Sequence, residues 1–237
     1  MTASSGPVLE LSGVSKDYHG LRPLRLAALT VQQGEHIAIL GLDQTATEVF
    51  VNLVTGATLP DQGDVRLFGR STAHITDSAD WLAVVDRFGI VSPRAVLLDA
   101  LTVVQNLAMP FTLEIEPPAE DIRRRAVALA QRAGLDQSSF DRPVAELGPA
   151  GLVRVRLGRA LALDPAVVIL EHPTADVQTE GIAELAAQCR AIPAATIVLT
   201  ADLAFAHAVG GRCLTLEPAT GRLAAERSGW LSRIRRG

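Results

Sequence analysis

The stretch Ile37-Ala38-Ile39-Leu40-Gly41-Leu42-Asp43-Gln44-Thr45-Ala46-Thr47-Glu48-Val49-Phe50-Val51-Asn52-Leu53-Val54-Thr55-Gly56 organises the chain. An apolar run short enough for a buried strand meets a tight loop at Gly41, and an apolar-periodic segment then continues as a helix to a glycine stop. Strand, loop and helix in that order are the layout of a phosphate-binding loop.

Such a loop is usually written G-x-x-x-x-G-K-[ST]. Its glycines let backbone N–H groups close around phosphates, while the Lys and a hydroxyl take the terminal phosphate and Mg²⁺. Laid on that pattern from Gly41, Ala46 replaces the second glycine, Thr47 replaces the Lys and Glu48 replaces the hydroxyl. The cation is lost and a carboxylate arrives. Thr45-Ala46-Thr47-Glu48 fits a capping box, in which the Thr oxygen and the Glu carboxylate satisfy orphan N–H groups reciprocally. Asp43 and Glu48 also set negative charge where a helix N-terminus would otherwise attract an anion. The loop is therefore read as self-liganded, and an ordinary capped helix with no nucleotide ancestry fits this stretch equally well.

At 237 residues, with 48% hydrophobic and 20% charged residues, the chain has ample material for a solid core in one large α/β domain or two small ones. Lys16 is its single Lys, so no Lys is left for a phosphate loop. A net charge of −4 argues against a nucleic-acid partner, which calls for a basic excess. The longest charge-free run, Ala100 to Leu113, is too short for a membrane span. The segment Met1 to Pro7 has neither the basic start nor the apolar core of a secretion signal. Cys189 and Cys213 share no metal or redox spacing and are expected as buried thiols in a reducing compartment. No metal site is expected.

Along the chain, Val8 to Leu11 and Leu24 to Val31 predict two antiparallel strands, with Asp64 to Gly69 closing that layer. Helical patterns at Asp77 to Asp86, from Leu101 to about Arg132 with a break at Glu116-Pro117-Pro118, at Gly151 to Leu163 and near Thr179 to Ala191 alternate with apolar runs. Those runs are Phe88 to Val91, Ala166 to Leu170 and Thr196 to Thr200. The alternation predicts a parallel α/β core, with a helical subdomain set apart at about 93–150. His36 and His74 are expected on the surface and His207 on a helix.

Leu147-Gly148-Pro149-Ala150-Gly151, followed by Arg154, Arg159-Ala160-Leu161 and Val167-Val168-Ile169-Leu170-Glu171-His172-Pro173-Thr174, resembles the signature helix and Walker B strand of ATP-binding-cassette (ABC) transporter ATPases. Those read roughly LSGGQ-x-x-R-x-x-x-A-R-A-L, then four apolar residues and D-E-P-T. The likeness covers nearly the whole chain, 7–227. It implies an α/β P-loop NTPase fold of ABC type with an antiparallel β layer and a helical subdomain. Ser92 to Pro110 is similar to the lipoprotein-release, macrolide-export and lipid-transport groups.

The resemblance implies a frame whose working positions have changed. The signature has lost its Ser and moved its glycines, and Pro149 deletes an N–H. Glu171 takes the Walker B Asp position, His172 that of the general base, Pro93 that of the Mg²⁺-binding Gln, and Ala201 that of the switch His. Tyr18 stands where the family stacks an aromatic on adenine. Losing the loop Lys and one further charge-assisted contact, at roughly 1.5–3 kcal/mol each, gives about 3–6 kcal/mol, or on the order of 10² to 10⁴ in affinity. ATP with Mg²⁺ is therefore expected to bind weakly or not at all, with no cofactor required.

By the same resemblance the partners are a membrane permease and a second cassette, on the inner face of the cell membrane. A homodimer would carry two doubly altered sites, and a heterodimer one altered half in each. That favours a structural or regulatory subunit over two rivals, an ATPase working by altered residues and a cytosolic scaffold freed from transport. The tail Gly229 to Arg236 (within 228–237) combines an apolar stripe with three Arg, a pattern that fits contact with an anionic membrane surface or a partner, although a frayed, solvated terminus is the reading preferred for it.

Overall fold

A computed structural model describes residues 6–226. The tail 228–237, for which membrane contact was considered, lies outside the described residues. The chain opens with β1 (Leu9–Lys16) and β2 (Leu24–Val31), then β3 (His36–Leu40), α1 (Gln44–Val54), β4 (Gln62–Leu67) and β5 (Arg70–Ser71). It continues through α2 (Ser78–Val85), β6 (Phe88–Val91), α3 (Val103–Ala108), α4 (Glu120–Arg132) and α5 (Pro149–Ala160). The last part is β7 (Val167–Glu171), α6 (Thr179–Arg190), β8 (Ala195–Leu199), α7 (Leu203–Val209), β9 (Arg212–Glu217) and β10 (Arg222–Ala225). The expected α/β architecture holds, and the antiparallel layer forms as read.

Two sheets organise these elements. One is antiparallel in the order β2-β1-β4-β5; the other has six strands in the order β10-β9-β3-β8-β7-β6, parallel except for the β9–β10 hairpin. Strand alternation splits the core in two. Ala38, Leu40, Val168 and Leu170 face the helices α3, α4 and α5, whereas Ile37, Ile39, Val167 and Ile169 face α1 and the antiparallel sheet. α1 is thus packed between the sheets, with Phe50 and Leu53 fully buried. The sequence pattern did not single out β9 and β10, although Pro218-Ala219-Thr220-Gly221 is the turn signal between the two strands.

Both cysteines are free, as expected, but only Cys189 is wholly buried. Desolvation pushes its thiol up to about 12, and burial with the nearby Glu226 also raises Cys213. An alkylating reagent near neutral pH should label half-buried Cys213 well before Cys189. A mass-spectrometric time course with equal rates at the two thiols would contradict this packing.

Candidate functional site

The C-terminal ends of β3, β8, β7 and β6 meet at one edge of the parallel sheet, where open α/β sheets take their ligands. Gly41 leaves β3 with φ +90°, and a Cβ there would sit 3.0 Å from the Leu216 carbonyl oxygen. Left-handed backbone and close approach both require glycine at this position.

The chain then reaches Asp43, whose extended backbone ends the loop and whose carboxylate accepts the Ala46 N–H at 2.7 Å. Asp43 is therefore the N-cap of α1, which corrects the capping box expected at Thr45 and Glu48. Both of those residues lie inside the helix, which begins at Gln44, so Thr45 has no N-cap geometry. A cap needs non-helical backbone, and Asp43 is where that backbone ends. The loop end is satisfied from within, but by Asp43.

Thr47 is 1% exposed, and its Oγ1 lies 3.0 Å from His172 Nε2. His172 sits just past β7 with φ +42°, a left-handed conformation that histidine tolerates better than most residues, and its N–H donates to the Leu199 carbonyl at 2.8 Å. The residues that the resemblance sets at the loop-Lys and general-base positions thus bond each other.

The other two positions are joined by a third residue. Glu171 continues the face of β7 that carries Val167 and Ile169, and so turns toward α1. Arg94 Nη2 donates to both of its carboxylate oxygens at 2.9 Å, and Ser92 Oγ donates to Oε2 at 3.0 Å. The same guanidinium reaches Glu48 Oε2 through Nη1 at 2.6 Å. Glu171 is 5% exposed against 51% for the Glu48 side chain. The inner contact is therefore the strong one, because a buried carboxylate persists only when paired and bonded.

Pro93, Pro149, Glu171 and His172 share one cavity of about 490 Å³ with Ser92 and Arg156. Burial holds the Arg156 guanidinium below its usual value, while Asp176 and Asp99 oppose that shift. Leu147 packs on the helical core, Gly148 caps α5 without a side-chain bond, and Pro149 takes the first helical position, where its missing N–H costs nothing. Ala150 and Gly151 follow in the first turn of α5. Ala201 is exposed on the turn after β8. Tyr18 is half-buried against the antiparallel sheet, with its ring laid over Gly20, where a Cβ would come within 2.6 Å.

His74 and His207 are exposed, His207 on α7 as expected. His36 departs from expectation, being half-buried with Nε2 3.0 Å from the Ile192 carbonyl, because the turn after α6 folds back over β3. Ser92 and Arg94 escaped the sequence reading. The signal available was that Arg94 is the single charge between Arg87 and Asp99. Among the described residues no group of three His, Cys, Asp or Glu is placed to hold a metal, and no helix is long and apolar enough to cross a membrane.

A family profile described as ABC transporter matches residues 24–175. The chain is 30% identical over 214 residues to the lipoprotein-releasing system ATP-binding protein LolD of Saccharophagus degradans, covering 86% of this chain and 92% of that protein. It is 28% identical over 219 residues to the methionine import ATP-binding protein MetN of Brucella abortus, of which it spans 58%. In fold it is similar to the post-hydrolysis dimer of the ATP-binding cassette MJ0796 bound to ADP and Pi, with a TM-score of 0.76 and 22% identity over 93% of this chain and 99% of that one.

Proposed function

This chain belongs to the ABC transporter family, and from that premise we propose that it is a non-hydrolysing cassette, a structural or regulatory subunit docked on a membrane permease. One observation carries the reading. The four positions that would serve a magnesium nucleotide are occupied with one another, Thr47 with His172, and Glu48 with Glu171 through Arg94. Arg94 lies between the two carboxylates, and Asp43 takes a loop-end N–H. These residues do not fit Mg-ATP.

The rest of the proposal follows from the family and the surface. Leu163 (57% exposed) borders a groove of about 360 Å³ that includes Ala95, Met109, Pro110 and Arg159, an apolar rim suited to a permease segment. A second cassette as partner accords with MJ0796, which is dimeric. The proposed location is the inner face of the cell membrane. Relatives named for lipoprotein release and for methionine import leave the cargo open.

Isothermal titration of the purified full-length chain with Mg-ATP tests the central claim. The expected outcome is no saturable heat at micromolar nucleotide. Tight, Mg²⁺-dependent binding would overturn the closed-site reading.

A further inference from the structure

Residues 92–98 leave β6 toward α3, and this short segment is held on three sides. Toward the sheet, Arg94 spans Glu48 of α1 at 2.6 Å and Glu171 of β7 at 2.9 Å. From α5, Arg156 Nε donates to the Ala95 carbonyl at 3.2 Å, and Arg159 Nη1 donates to the Val96 carbonyl at 2.6 Å. At the far end, Asn106 of α3 accepts the Leu98 N–H at 2.9 Å and donates to the Leu98 carbonyl at 3.0 Å. The backbone is thus tied to α1, β7, α5 and α3, while the side chains of Val96 and Leu98 are 74% and 39% exposed.

We propose that Arg94 is a permanent clasp, an internal contact that fixes the 92–98 segment and holds the face carrying Val96 and Leu98 in one conformation whatever nucleotide is in solution. This deepens the closed-site reading and rests on it. Permanence comes from Glu171, because releasing Arg94 would strand a carboxylate that is 5% exposed. The contact to half-exposed Glu48 adds reach more than strength. A face already held in place owes little ordering entropy when a partner arrives.

Hydrogen exchange of the full-length chain, read by mass spectrometry with and without Mg-ATP, tests the clasp. The amides of Arg94, Ala95 and Leu98 are the reporters, bonded to Ser92 Oγ, the Ser92 carbonyl and Asn106 Oδ1. In the unaltered chain their exchange should be slow and indifferent to Mg-ATP. Arg94→Gln should speed the segment by about 10- to 100-fold, the equivalent of losing charge-assisted bonds, with β3 and β8 unchanged. Because that variant leaves Glu171 unpaired, the double variant Arg94→Gln/Glu171→Gln is measured beside it and should loosen the same amides without the stranded charge. Unchanged exchange in the double variant overturns the clasp and leaves the closed-site reading standing. An unaltered chain whose segment responds to Mg-ATP overturns both.

Discussion

A chain carrying Thr47→Lys, Glu48→Thr and Arg94→Gln is expected to bind Mg-ATP roughly 10² to 10⁴ times more tightly than the unaltered chain. The three changes act on different obstacles. Lys returns the loop's point charge, Thr replaces a repelling carboxylate with a hydroxyl, and Gln withdraws the guanidinium that spans Glu48 and Glu171. Thr47 is 1% exposed and its hydroxyl faces His172 at 3.0 Å, so a Lys there has to displace that contact to extend. Titration calorimetry reads the affinity, and Thr47→Lys alone should gain much less than the triple variant. If the triple variant stays folded and gains nothing, self-pairing of these positions is not what closes the site.

Gly89→Ala is expected to lower unfolding free energy by about 3 kcal/mol or more, the upper end of overpacking costs. A Cβ on Gly89 would lie 2.2 Å from the Ala160 carbonyl oxygen, and both sides of that contact are backbone. Neither β6 nor the C-terminal end of α5 can yield by turning a side chain, so one element has to shift. The shift would also disturb Ser92 and Arg94, which follow β6 directly. Gly148→Ser is the informative counterpart, since nothing lies within 4 Å of a Cβ there and serine is a better N-cap than glycine. It should leave stability unchanged or raise it by a few tenths of a kcal/mol, in contrast to Gly89→Ala. Urea midpoints for both variants decide the matter. A clear loss in Gly148→Ser would show that the start of α5 is not packed as described.

The elements most legible from sequence were those whose burial is two-sided. β3, β7 and β8 read as short continuous apolar runs because each is covered on both faces, and every residue of β7 and β8 is buried. The start of α1 was misplaced because Thr45 and Glu48 have the spacing of a capping box, while the true cap depends on where the turn after Gly41 ends. β9 and β10 went unread because half-buried alternation over a few residues is a weak signal.

From its order of residues alone, the chain determined the α/β alternation and which residues stand at the altered positions: no Lys at the loop, a carboxylate at position 48, Glu171 and His172 after the apolar run. What those residues bond to was decided by tertiary structure. Arg94 and Glu171 are separated by 77 residues, and Thr47 and His172 by 125. They meet because parallel register sets both Ile39 and Glu171 opposite Leu199, and because strand parity turns Glu171 toward α1. A linear pattern carries the parity; only the folded sheet supplies the register that brings the partners within bonding distance.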